Sequence, residues 1–327
     1  MPSPRSSLVN VETTPYYHCV SRCVRRAFLC GVDFTTQKDY EHRRQWVEDR
    51  ILELAEVFSV DVCAYAVMSN HLHVVLHLNP NQAAQWTDLE VVQRWHLLFS
   101  GKPISRLYAS GVRLSSAQQS ILNDLVTCWR ERLSNLSWFM RCLNEPIARK
   151  ANIEDGCTGH FWESRFKSQA LADEQALIAA MAYVDLNPVR AGIADTPETS
   201  EHTSVKTRIG AVEASSTKNL SSPPLFPFVG DSRERMSEGI PFCFKDYLSL
   251  LDWTGRSIHP NKKGFIANDQ PPILNRLAIR SDAWMALSRH FEQSFQAFVG
   301  TPSSLKRVKN HLGKQKIRGS LTNAFDP

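Results

Sequence analysis

Between residues 59 and 78 two β-rich runs, SVDVCAYAVM and HLHVVLHL, are separated only by Ser69 and Asn70. A two-residue connection between such runs predicts an antiparallel hairpin. Side chains alternate faces along a strand, so His71 and His73 leave the same face about 6.6 Å apart along the chain while Leu72 points to the other. That separation lets two imidazoles pinch one divalent ion, and it equally suits two half-exposed strand histidines. With 11 His in 327 residues an H-x-H arises about 0.4 times by chance. The pair therefore needs its surroundings to carry a function. His77 shares the face but lies about 13 Å from His73, too far to share an ion with it.

Around the hairpin the chain alternates strand and helix signals. Residues 16 to 24, YYHCVSRCV, are rich in β-formers, and 37 to 58 read as a helix with Trp46, Val47, Ile51, Leu54 and Ala55 on one stripe. The stretch 79–134 is mixed and helix-leaning, which we read as an insertion. Helical spacing resumes at Leu136, Phe139, Met140, Leu143 and Ile147, although Pro146 should kink or break that helix. A strand candidate over 166–171 leads to a helix that opens near Asp173 and closes at Asn187-Pro188. The order β-α-β-β-(insertion)-α-β-α predicts an α+β fold: a ferredoxin-like antiparallel sheet with helices on one face. Ser, Pro and Gly density over 215–232 marks a linker, set at 206–239, dividing a domain over 1–205 from a mainly helical accessory region over 240–327.

In the helix before Asn187-Pro188, Tyr183 and Asn187 are spaced i, i+4 and share a face with Ala176 and Ala180. Small residues leading up to a phenol let something bulky approach it, and a buried tyrosine with a satisfied hydroxyl fits as well. The composition is that of an ordinary globular chain, 43% hydrophobic and 22% charged, with a net charge of +5 that permits a polyanionic partner without demanding one. From 305 to 319 the segment LKRVKNHLGKQKIRG carries six Lys or Arg and no acid. Lys306, Arg307 and Lys309 there suit a phosphate-binding surface, a solvated tail, or a helix packed through Leu305, Val308 and Leu312. Eight cysteines without a C-x-x-C pair, an opening MPSPRSSLVN without an apolar core, and no apolar run of membrane-spanning length predict a reduced, soluble, cytoplasmic protein with no membrane partner.

Five fragments stand together in order: YYHCVSRCVRRAF (16–28), AYAVMSNHLHVVLHL (64–78), LSWFMRCLNEPIAR (136–149), TGHFWESRFKSQAL (158–171) and AYVDLNPVRAGI (182–193). Over about 190 residues they resemble the single-tyrosine HUH transposases, and in particular the REP-associated tyrosine transposase branch. The resemblance implies that His71 and His73 are metal ligands, that Asn187 completes the shell, and that Tyr183 is the nucleophile on a DNA phosphodiester. The metal would be Mg²⁺ or Mn²⁺, which accept mixed nitrogen and oxygen ligation. The implied activity is nicking and strand transfer through a 5′-phosphotyrosine link on single-stranded or hairpin DNA, by a monomer or homodimer.

Arg25, Arg26, Arg165, Lys167 and Arg190 sit in or beside the matched fragments as candidate phosphate contacts, with Phe161 and Trp162 as candidate base-stacking rings. Solvated charges and core aromatics are the alternative for these. Two other functions stay open: a catalytically silent DNA-binding protein derived from such a transposase, and an H-x-H metal-dependent hydrolase. The hydrolase needs further His and Asp ligands in a repeated β-α pattern, and no such repeat follows position 80.

Overall fold

A computed structural model describes residues 9–24, 29–33, 37–215, 223–230, 239–258, 274, 279–291, 297–314, 316–317 and 319–320. Strand β1 (Tyr16–Arg22) precedes a small hairpin of β2 (Val32–Asp33) and β3 (Lys38–Asp39), followed by helix α1 (Arg43–Val57). The hairpin expected from its two-residue connection is β4 (Val60–Val67) and β5 (His71–Leu78), paired antiparallel. β1 lies antiparallel between β5 and β6 (Lys167–Leu171), so four strands run in the order β4-β5-β1-β6 with every neighbour antiparallel. The expectation of a wholly antiparallel sheet is corrected at its far edge. There β7 (Phe298–Val299) and β8 (Gly319–Ser320) continue the sheet in parallel, which makes it mixed.

The insertion over 79–134 is helical: α2 (Pro80–Gln85), α3 (Asp88–Leu98), α4 (Pro103–Ala109) and α5 (Ser116–Leu133). Capping boxes at Thr87 and Ser115 open α3 and α5. Trp95 and Trp129 stack at 5.0 Å between them. Next comes α6 (Leu136–Glu154), which runs through Pro146 without ending. Proline leaves the carbonyl four residues earlier without its helical donor. Here that carbonyl belongs to Cys142, and Arg50 Nε on α1 donates to it at 3.0 Å. The expected break at Pro146 is therefore compensated from a neighbouring helix.

Leu72, Val74, Leu76 and Leu78 of β5 join Tyr17 and Cys19 of β1, Val47, Ile51 and Leu54 of α1, and Phe139, Met140 and Leu143 of α6 in one core. The other face carries His71, His73 and Val75. It is covered by α7 (Glu174–Asp185), whose buried Ala176, Ala180 and Tyr183 belong to a second core with Val75. Helices thus lie on both faces rather than the one expected, because α7 after β6 crosses to the side that α1 and α6 leave open. In β4 a register shift between Val62 and Ala64 changes the parity. Val60, Val62, Tyr65 and Val67 all face α1 and α6, while Cys63, Ala64 and Ala66 turn to α7. Asp173 caps α7 by accepting from Ala176 N at 2.9 Å. The helix stops at Asp185, and Pro188 sits in the first turn of the short α8 (Asn187–Arg190), where it needs no donor.

The expected linker over 206–239 opens instead inside helix α9 (Ser204–Ser215). Arg208 from that helix donates to the carbonyl of Cys63 at the bulge, 2.9 Å away, and Phe226 N donates to Val62 O at 2.9 Å. The bulge and sheet edge supply acceptors, and the polar chain satisfies them. Beyond it, α10 (Phe244–Ile258) and α11 (Ser281–His290) close over α7, and α12 (Pro302–His311) follows β7. Among the described residues no helix is long and apolar enough to cross a membrane.

Candidate active site

His71 and His73 leave β5 on the α7 face with ring centroids 4.8 Å apart and planes nearly perpendicular. His73 is fully buried, and a third imidazole, His18 of β1, lies beside it with Nε2 3.0 Å from His73 Nδ1. The sheet register accounts for the contact: His73 is paired with Val20 and His18 with Val75, so the two histidines are diagonal neighbours on one face. Burial pushes His18 down to about 4. It pushes His73 well below the ordinary imidazole value too, with the adjacent His71 and His18 adding to the effect. Both rings are therefore neutral at pH 7, and neutral imidazole is the form that ligates metals.

Tyr183 projects from α7 with its ring centroid 5.5 Å from His73 and 6.1 Å from His18. The site thus joins residues 110 positions apart in the chain. The guanidinium of Arg190 lies 4.7 Å from the Tyr183 ring centroid, and Phe291 stacks on the ring at 4.8 Å. Only 3% of Tyr183 is exposed. The bulky group admitted by the small residues of α7 is, in this structure, partly the chain's own Phe291.

His73 Nε2 and Asn187 Nδ2 are buried polar atoms with no hydrogen-bond partner. A buried polar atom left so costs about 1–3 kcal/mol, and a cation relieves that cost at His73. The carboxamide of Asn187, turned about its last torsion, presents an oxygen in place of the nitrogen. Among the described residues no group of three or more His, Cys, Asp or Glu could hold a metal ion. An ion held by the two imidazoles would take water or phosphate to complete its shell. Two imidazoles fall short of the four-ligand cages of structural zinc and leave coordination positions open.

No protein-family model and no curated protein matches the sequence. One solved structure, a REP-associated tyrosine transposase bound to a REP hairpin, is similar at 11% identity with a TM-score of 0.34. The similarity covers 69% of this chain and 92% of that one.

The candidate DNA-contact residues scatter more widely than the metal and tyrosine set. Arg25 and Arg26 lie outside the described residues. Phe161 is 3% exposed and meets Trp162 edge-on at 5.0 Å, so it is a core ring and not an accessible stacking platform. Trp162 is half-buried, with Nε1 donating to Asn144 O at 2.8 Å. With Arg165 and Phe166 it lines a groove of about 700 Å³ whose other wall is α6, including Arg141. Arg165 and Lys167 are exposed, while Arg190 is occupied over Tyr183. Lys306 and Arg307 are exposed on α12, whose Leu305 and Val308 are buried and whose Leu312 packs against the same core. Sequence reasoning passed over His18. It stands in a quoted fragment, but only the pairing of β1 with β5 brings it to His73.

Proposed function

We propose that the chain is a metal-dependent, single-tyrosine DNA endonuclease and strand transferase, built on a ferredoxin-like nuclease core and acting on single-stranded or hairpin DNA. One observation carries this reading: His71 and His73 of β5 and Tyr183 of α7 converge on one face of the sheet, with the His73 and Tyr183 rings 5.5 Å apart. The strand order β4-β5-β1-β6 agrees with a ferredoxin-like core.

In this reading Tyr183 Oη attacks a backbone phosphorus, and the phosphorus–O3′ bond breaks. The DNA 5′ end is left on the tyrosine and the departing O3′ takes up a proton as a free hydroxyl. One phosphodiester replaces another of similar energy, so the step reverses with a second 3′-hydroxyl and needs no nucleotide. A phenol with an ordinary pKa near 10 needs a nearby positive charge to react at neutral pH, and Arg190 over the ring is placed to give it. His71, His73 and Asn187 would hold Mg²⁺ or Mn²⁺. When bound, the ion supplies the charge that polarises the scissile phosphate.

The burial of Tyr183 beneath Phe291 favours a second reading, a DNA-binding protein that does not cleave. Incubation with labelled DNA hairpins and Mn²⁺ separates the two. The enzyme reading expects a denaturation-resistant adduct in the wild type that disappears in Tyr183→Phe while hairpin binding persists. An adduct that survives in Tyr183→Phe removes the nucleophile assignment, and binding without any wild-type adduct selects the second reading. Cleavage that continues in the His71→Ala, His73→Ala double variant, or in excess chelator, overturns the metal assignment.

A further inference from the structure

His18 and His73 meet ring nitrogen to ring nitrogen, Nε2 to Nδ1, at 3.0 Å inside the protein. Such a contact is a hydrogen bond only if one nitrogen carries a proton and the other a lone pair, so it couples the tautomers of the two rings. If His73 donates through Nδ1, its Nε2 carries a lone pair. If it accepts at Nδ1, the neutral ring keeps its proton on Nε2, and a protonated nitrogen cannot ligate a metal. The far side of His18 decides between them. His18 Nδ1 faces Gln169 Oε1 at 3.5 Å, the outer edge of hydrogen-bonding distance, and a carbonyl oxygen there calls for a proton on Nδ1. His18 Nε2 is then the acceptor and His73 Nδ1 the donor. The lone pair of His73 emerges at Nε2, the buried atom without a hydrogen-bond partner.

We propose that His18 is a positioning residue that holds His73 in its Nδ1–H tautomer and so presents Nε2 to a divalent cation. The inference rests on the metal role of His73 under the proposed function, but its first observable does not require the metal. Partners of this kind behind a ligating histidine fix ring orientation and tautomer, and losing them typically weakens metal binding about 10–100-fold.

Three full-length proteins test it: wild type, His18→Gln and His18→Leu. A glutamine places an acceptor oxygen near the position of His18 Nε2, and leucine offers none. Nitrogen NMR of the DNA-free, metal-free protein should show His73 protonated at Nδ1 in the wild type and in His18→Gln, with that preference lost in His18→Leu. Calorimetric titration with Mn²⁺ should show about 10–100-fold weaker binding in His18→Leu, and His18→Gln within a few-fold of wild type. A wild-type His73 protonated at Nε2 overturns the proposal, and this needs no variant to fold. A folded His18→Leu that binds Mn²⁺ as tightly as wild type overturns it as well. If the wild type binds no Mn²⁺, the metal part of the proposed function fails, while the tautomer spectrum still decides the role of His18.

Discussion

Glu48 of α1 is pulled in two directions. Burial pushes its carboxyl up, but hydrogen bonds from His202 at 2.7 Å and from Tyr65 at 2.5 Å outweigh the burial and hold it below its ordinary 4.5. A folded-state pKa below the unfolded one means that the native protein binds fewer protons. The carboxylate's contribution is present above about pH 4.5 and is lost as pH falls through the folded value. Glu48→Gln should cost about 1–3 kcal/mol at pH 7, and the gap to wild type should narrow steadily towards pH 3. Urea midpoints of both proteins across that range check this, and a gap that stays constant with pH contradicts the charge-assisted bonds. At this scale, legibility depended on whether a residue acts through its own element. His71 and His73 could be placed on one face because strand alternation needs no knowledge of the partner strand, and Tyr183 and Asn187 because four residues make one helical turn. His18 depends on a register between β1 and β5 that no local pattern states. Phe161 reads as a possible stacking ring until tertiary packing buries it.

Elements were legible where their signals are local and misleading where a neighbour compensates. The two-residue connection fixed the hairpin, and Asp173 and Pro188 bounded α7 for reasons visible in sequence. Proline 146 misleads because the remedy for its missing donor comes from Arg50, 92 residues away in the chain. The arrangement predicts a measurable coupling. Arg50→Met should destabilise the wild type by about 1–2 kcal/mol by leaving the Cys142 carbonyl without that donor. In a Pro146→Ala background the restored amide serves the same carbonyl, so Arg50→Met should cost at least about 0.5 kcal/mol less. A double-mutant cycle by chemical denaturation subtracts the exposed contact of Arg50 with Glu53, which is common to both backgrounds. Additive effects would show that the helix tolerates Pro146 without help from α1. The same principle explains α9: its polar composition resembles a linker until Arg208 meets the bulge carbonyl of Cys63.

At the scale of the whole molecule, the region beyond 240 packs into the same core as α7. Tyr247 donates to the buried Asp185 at the end of α7 at 2.6 Å, Phe291 stacks on Tyr183, and β7 pairs with β6. Sequence could not show this, since each contact joins the C-terminal part to an element far back in the chain. The basic segment over 305–319 is where the question becomes experimental. Its sequence allowed phosphate binding or a packed helix, and in α12 Leu305 and Val308 are buried while Lys306 and Arg307 face outward. Deleting 303–327 removes two buried aliphatic side chains, worth about 1.5–3 kcal/mol each, so unfolding should be easier by about 3–6 kcal/mol and the melting temperature lower. The outward charges make a separate prediction. If they contact DNA phosphates, the truncated protein should also lose about 0.7–0.9 from the log-log salt slope of hairpin binding for each contact removed. An unchanged melting temperature contradicts the packed helix. A lowered melting temperature with an unchanged salt slope leaves α12 as a structural brace whose lysines and arginines meet only solvent.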